Sequence, residues 1–399
     1  MTKEVNVPLD WRKVNLGDCF IEGKKSHIKV DDATGFGSYP FFTSGEDVLL
    51  HNEKLTEGEN IYLSTGGNAV VKYYNGEAAY STDTYVVTGK EKYSSKFLYY
   101  VLDYLTDYIN INYFQGSGLK HLQKKALKQH EVLIPSTYDE QQRIADALTQ
   151  IDDVIDSNKR LIAKYEKVKL GMMHDLLTFG IDAKGNIRSE QTHQFKNSDI
   201  GRIPVEWEVV ELNSVTSQIE DCPHSTPIYR DQGVLVARTT CIKNGRYIVD
   251  ESSYVSEKEY EERISRMKPT SGDVIFTREA PVGEAFVIPS NMKICLGQRV
   301  MCMRCNSKMI PHFLVLNFYA DFMAQQYRSV TGGTTVSHLN VADVKKVKVL
   351  KPDIEEQKRI LDIIRQIEYP ILLLNQKRSN MEDQRRGLLS DLITGKVRI

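Results

Sequence analysis

The sequence lacks any apolar run near the roughly 20 residues that a membrane-spanning helix needs, and its start, Met1-Thr-Lys-Glu-Val-Asn-Val-Pro, has no apolar core of the secretory kind. Six cysteines in 399 residues are too few, and too unevenly spread, for a disulfide scaffold. A cytoplasmic protein, not tied to a membrane, is expected. Cationic excess is also missing: 52 Lys and Arg stand against 53 Asp and Glu, for a net charge of −1. That weakens the case for a protein that coats nucleic acid non-specifically, because such affinity comes from many unbalanced cations. A sequence reader needs only a local basic face and stays within bounds. There is no Walker A loop to cradle a nucleotide, and no Asn-Pro-Pro-Tyr type of motif with which an amino-methyltransferase holds its base. An enzyme acting in its own right is not expected.

What is there is a chain 41% hydrophobic and 26% charged, long enough at roughly 100–200 residues per domain for two or three cores. It repeats itself. Pro8-Leu-Asp-Trp11-Arg has an echo in Pro204-Val-Glu-Trp207-Glu, and these are the two tryptophans of the chain. Glu140-Gln-Gln-Arg-Ile144 returns as Glu356-Gln-Lys-Arg-Ile360, His121-Leu122 as His338-Leu339, and Asp175-Leu-Leu-Thr178 as Asp391-Leu-Ile-Thr394. Trp to His spans 110 residues in the first copy (11 to 121) and 131 in the second (207 to 338), whereas the later landmarks keep an offset of 216. Each half therefore has a front of variable length and a back of fixed length.

The back reads as a helix in both copies. Ile144, Leu148, Ile151, Ile155, Asn158, Ile162, Tyr165, Lys169, Met172 and Leu176 follow steps of four and three. So do Ile360, Ile364, Ile367, Ile371, Leu374, Arg378, Met381, Arg385, Leu388 and Leu392. A sustained 3–4 spacing is a narrow apolar seam, the signature of helices that pair with one another. About 37 residues give a rod of roughly 55 Å. Asn158 is a polar residue at a seam position, where it fixes register. Arg378 and Arg385 make one end more polar, either a docking place for another protein or a solvated end. Pro370 is expected to kink or restart the second helix near Tyr369.

The fronts read as mixed α/β, with strands at Glu59–Ser64, Asn68–Tyr74, Thr84–Thr88, Gly233–Arg238, Asp273–Arg278 and Glu284–Ile288, where β-branched and aromatic residues alternate with turn residues. Helices are expected from Ser95 to Ile111 and from Ile310 to Tyr327. Cys302-x-x-Cys305, with Cys295 and His312 nearby, has the spacing of a zinc site, but the matching stretch of the first copy has no cysteine, so a buried strand with incidental thiols is the better reading and no metal is expected. Two segments occupy the same place in each copy and suit contact with DNA: Gln115-Gly-Ser117-Gly-Leu-Lys120-His121 and Thr331-Gly-Gly-Thr334-Thr335-Val-Ser-His338. Their small residues let a backbone approach a phosphate, and hydroxyls, Lys and His supply polar contacts. Lys24, Lys25 and Lys29 form a basic loop. Arg238, Thr239, Lys243 and Arg246 group guanidinium, hydroxyl and ammonium donors after a strand, and Arg278 and Arg299 lie at strand ends. Arginine grips guanine O6 and N7 with two hydrogen bonds, hence the interest in these positions.

The order of these pieces resembles the specificity (S) subunit of Type I restriction-modification systems. The resemblance is carried by Ile200-Gly-Arg-Ile-Pro-Val-Glu-Trp207 and its shorter echo at 8–11, and by the two Glu-Gln-x-Arg-Ile helix starts preceded by Ile134-Pro135 and Lys351-Pro352. The helix endings Leu176-Leu-Thr-Phe-Gly180 and Leu392-Ile-Thr-Gly395 complete it. It covers essentially the whole chain. It implies an α+β fold in which two α/β target recognition domains are separated by two long antiparallel helices forming a coiled coil, with an internal pseudo-twofold repeat. The expected parts are recognition domain 1 at 1–137, a first spacer helix at 138–179, a linker at 180–198, recognition domain 2 at 199–353, and a second spacer helix with its tail at 354–399. The resemblance further implies a non-catalytic role on double-stranded DNA beside two methyltransferase (M) subunits and restriction (R) subunits. S-adenosylmethionine, ATP and Mg²⁺ would then belong to those partners and none of them to this chain. Two unlike readers held at a fixed spacing would read a split, asymmetric site. The contrasting expectation is a partner-independent scaffold whose paired helices carry two protein-binding modules.

Overall fold

The computed structural model describes residue 8 and residues 10–279, 281–331 and 338–399, with only the backbone at 330 and 331. Two compact units result: Met1–Leu161 with Leu374–Ile399, and Ile162–Leu373.

In the first unit, an antiparallel sheet runs in the order Phe20–Glu22, Thr84–Gly89, Glu59–Ser64, Val71–Asn75. Glu59–Ser64 is buried on both faces, and its alternation serves two cores. Ile61 and Leu63 pack with Phe97, Leu98 and Val101 of the helix Ser95–Tyr104, while Tyr62 faces Phe42, Tyr80 and Val86. That helix starts where Ser94 Oγ accepts the Phe97 N–H, a side-chain cap for an otherwise orphaned donor. A second helix, Thr106–Asn112, follows after Leu105, so the single helix expected from 95 to 111 is broken once. A smaller sheet places Tyr39–Phe42 between Val48–His51, antiparallel, and Ala79–Tyr80, parallel.

The second unit repeats this strand for strand. Its larger sheet runs Thr216–Asp221, Val300–Cys305, Val274–Thr277, Ala285–Val287. Val274 and Phe276 face one core and Ile275 the other, the same alternation as 61 to 63. Its smaller sheet places Val234–Ala237 between Ser253–Val255, antiparallel, and Ile294–Leu296, parallel. The longer front is explained in part by residues 238–252, which replace the short 43–47 connection of the first unit. Cys302 and Cys305 lie on the buried strand Val300–Cys305, and no group of metal-ligating side chains occurs among the described residues.

The two long helices are Tyr138–Thr178 and Ile354–Ile393. Each begins in one unit and ends in the other. Within the first unit they run antiparallel: Asp152 meets Arg385, and Asn158 Nδ2 lies 3.4 Å from Met381 Sδ. Within the second unit the same sense holds, with Lys169 Nζ 2.7 Å from Glu368 and the Ile181 N–H 2.9 Å from Glu356. None of the twenty seam residues is exposed. Pro370 does not restart the second helix, which stays continuous from Ile354 to Ile393. The proline removes one N–H from the ladder, while Ile364 and Ile371 on either side of it are buried and hold the helix in place. At the polar end, one of the two arginines is closely paired within the chain. Arg385 is neutralised by Asp152 and by Asp103 at 2.8 Å, so its charge is met internally.

Candidate nucleic-acid interface

The Glu-Gln pair that opens each long helix fixes that helix to its own front. Gln141 Oε1 accepts the Ser94 N–H at 2.9 Å, and its Nε2 donates to the carbonyls of Lys92 and Pro135. Gln357 does the same with the Ile310 N–H at 2.8 Å and the carbonyls of Lys308 and Pro352. Glu140 accepts from Trp11 Nε1 and from Arg398, whose guanidinium also grips Asp10 at 2.6 Å. Glu356 accepts from the Ile181 N–H and from Arg188. So each helix start is locked by an arginine that follows the end of the other helix. Gly180 there has φ +66°, and a Cβ would meet Arg188, Glu356 and Trp207 at 2.5 Å, which leaves room only for glycine.

From this base the fronts bring the paired segments to one matched place. In the first unit the Thr65 N–H donates to the Asp83 carbonyl and the Leu122 N–H to the Thr65 carbonyl, both at 3.0 Å, and Gly66 bridges His121. In the second, the Arg278 N–H donates to the Arg299 carbonyl at 3.0 Å, the Leu339 N–H to the Arg278 carbonyl at 2.9 Å, and Glu279 bridges His338. Thr65, Gly66, Asp83 and His121 therefore correspond to Arg278, Glu279, Arg299 and His338.

The side chains at this place are unlike. In the first unit a cleft of about 420 Å³ is lined by Ser44, Glu46, Asn68, Asp83 and His121, among others. Ser117, Lys120 and His121 are exposed on the turn beside it. Lys24, Lys25 and Lys29 point outward from a loop that Ser26 and Ile28 anchor inward. The Thr82 N–H, donating to the Ile28 carbonyl at 2.8 Å, sets that loop beside Asp83. In the second unit the place is an ion-pair cluster. Arg278, 8% exposed, donates to Asp221 at 3.0 Å and lies 3.1 Å from Glu279. Glu279 also meets His338 at 2.8 Å and Arg299 at 3.2 Å.

The other candidates go elsewhere. Arg238 donates to Ser253 Oγ at 2.9 Å and stacks over Tyr229, with the half-buried Thr239 following it into a 3₁₀ turn. Lys243 pairs with Glu251 at 2.6 Å. Lys243 and Arg246 line a separate groove of about 800 Å³ with Lys169, Leu170, Arg365 and Glu368 of the long helices. The Asn244-Gly245 turn between them is pinned by Tyr319 and Glu284: Tyr319 Oη accepts the Gly245 N–H, and Glu284 accepts the Asn244 N–H. Burial raises the Tyr319 hydroxyl pKa, so it stays protonated and donates to Glu284. Thr334 and Thr335 lie outside the described residues. The Arg278 guanidinium lies largely out of solvent, against Asp221 and Glu279. Reading the sequence passed over Glu279 and Asp83, because carboxylates were not sought among basic donors. It also passed over Arg188 and Arg398, which carry no periodic signal.

Two like fronts on paired helices, with unlike side chains at one matched place, define a class of duplicated two-front proteins. The sequence profile of the Type I restriction modification DNA specificity domain matches residues 8–167 and 204–382, and the chain belongs to that family. It is thus a DNA specificity subunit of a Type I restriction-modification system, the non-catalytic part of such a complex. The MjaVIII specificity subunit of Methanocaldococcus jannaschii is 24% identical over 99% of this chain and 95% of its own. The EcoDI specificity subunit of Escherichia coli is 22% identical over 90% of this chain and 82% of its own. The crystal structure of the S subunit from M. genitalium shares the fold, with a TM-score of 0.64 at 15% identity over 98% of both chains. No helix among the described residues is long and apolar enough to cross a membrane.

Proposed function

We propose that the two fronts read the two unequal halves of a bipartite site on double-stranded DNA, and that the paired helices set the number of unread base pairs between them. One observation carries this reading: the two sheets of each front repeat strand for strand, yet Thr65, Gly66 and Asp83 stand where Arg278, Glu279 and Arg299 stand in the other. A shared fold with exchanged charges at one spot is what two different addresses on one duplex require. Lys24, Lys25, Lys29, Ser117, Lys120 and His121 serve the first half-site. Arg299 and His338, with Thr334 and Thr335, serve the second, and Arg278 positions them. Lys243, Arg246, Arg238 and Thr239, held in or beside the insertion at 238–252, take no base contact in this reading.

The chemistry is assigned to partners in the cytoplasm. Two methyltransferase subunits would bind S-adenosylmethionine and receive target adenines turned out of the stack, and restriction subunits would use ATP and Mg²⁺. The test is adenine-methylation mapping of a genome carrying the methyltransferase partner, with and without this chain. A split motif that appears only with the chain is the expected result. Equal methylation in both strains, or an uninterrupted motif, would refute the reading and favour a scaffold that binds proteins.

A further inference from the structure

We infer that Arg299 is a guanine-reading residue and that Glu279 is the positioning residue that aims it; the inference rests on the proposed reading of a split DNA site. The backbone gives the first observation. Among the described residues, Asn244 and Arg299 are the non-glycine residues with positive φ, at 51° and 67°. Asn244 sits in a turn ahead of Gly245, an ordinary place for that conformation. Arginine has no such excuse. A Cβ makes the left-handed region costly, and residues held there cluster where a side chain must be aimed. Here the conformation is held by the Arg278 N–H on the Arg299 carbonyl and by the strand that starts at Val300.

The side chain gives the second observation. It is 58% exposed, and its Nε is 3.2 Å from Glu279. With Nε engaged, the two terminal amines are left to form the fork that matches guanine O6 and N7. Glu279, 19% exposed, is itself held by Arg278 at 3.1 Å and by His338 at 2.8 Å, and Arg278 by Asp221 at 3.0 Å. A chain of charge pairs thus leads from the interior to Arg299 and fixes its direction before any DNA arrives, the preorganisation that base readout needs. The first unit lacks the device: Gly66 replaces Glu279 and Asp83 replaces Arg299. The reader therefore acts in one half-site only.

The experiment is adenine-methylation mapping with the full chain and its methyltransferase partner, comparing wild type with R299G, R299K and E279Q. Glycine suits φ +67°, so R299G removes the side chain while relieving the backbone, and the thermal midpoint of each variant verifies folding. The wild-type motif is expected to contain a G·C pair that R299G relaxes, by about tenfold to a hundredfold, at a single position of a single half. R299K is not expected to restore it, because an ammonium lacks the fork. E279Q should relax the same position and no other, by a smaller factor. An unchanged motif in R299G overturns the inference while leaving the split-site reading intact. So does an even loss across all sequences, or complete loss in a folded variant, either of which marks Arg299 as a phosphate contact. If the wild-type chain directs no split motif, the broader reading fails first.

Discussion

Arg188 and Glu356 offer a sharp test of how each long helix is locked. Their exposures are 7% and 1%, and the carboxylate accepts from Arg188 Nη2 at 3.0 Å and from the Ile181 N–H at 2.9 Å. Replacing Arg188 by Ala leaves a charge out of water with a single backbone donor. Breaking a buried pair in this way costs about 3–5 kcal/mol. For a unit of this size each kcal/mol moves the midpoint by about 2–4 °C, so calorimetry of the full chain should show the transition of the Ile162–Leu373 unit falling by about 6–20 °C. Removing both charges should be far milder. Arg188→Met with Glu356→Gln removes both charges, keeps an oxygen for the Ile181 N–H, and should recover to within about 1–2 kcal/mol of wild type. A single variant that costs less than about 1 kcal/mol, or a double variant as unstable as the worse single one, would refute the lock.

Three further outcomes are expected. In the first unit Arg398 holds Asp10 and Glu140, and Arg143 Nε donates to the Ile399 carbonyl; a permutant that links the segment before Asp10 to residue 399, with new termini at the exposed turn around Gly185, should therefore melt within a few degrees of wild type, and a collapse of its transition would contradict this. Burial holds the imidazoles of His130 and His312 below their ordinary 6.5, His312 being lowered also by the Arg365 charge. The unfolded chain then binds more protons between those lowered values and 6.5, so stability should fall as pH drops through that window; a midpoint that rises or stays level between pH 7 and 5 would count against it. Deleting seven residues in register from each long helix should shorten the unread gap by about 10 Å, or about 3 bp, and methylation mapping that returns the original gap would reject the helices as the spacing device.

Much of the architecture was legible because it is periodic or repeated. The 3–4 spacing from Ile144 to Leu176 and from Ile360 to Leu392 placed both long helices, and none of those residues is exposed. Glu59–Ser64 was read to the residue, since β-branched and aromatic residues bounded by turns leave little choice. Contacts between distant single residues were not legible. Arg188 sits in a polar stretch that reads as a linker, and nothing local tells that its guanidinium is buried on Glu356, 168 residues away. The same blindness treated Arg238, Arg278 and Arg299 alike as cations near strands. Only the fold separates one stacked on Tyr229, one buried on Asp221 and one held out into solvent. A restart at Pro370 does not occur: a missing N–H is a local penalty, and the helix runs on through it with Ile364 and Ile371 buried on either side.

The first unit is completed by Leu389, Leu392 and Ile393, which enter its core from the far end of the chain. During synthesis the Ile162–Leu373 unit emerges as a single uninterrupted stretch, whereas the core of the unit made first lacks these three buried residues until the last segment arrives. A product cut short before residue 389 would thus carry one finished reader and one with an open core.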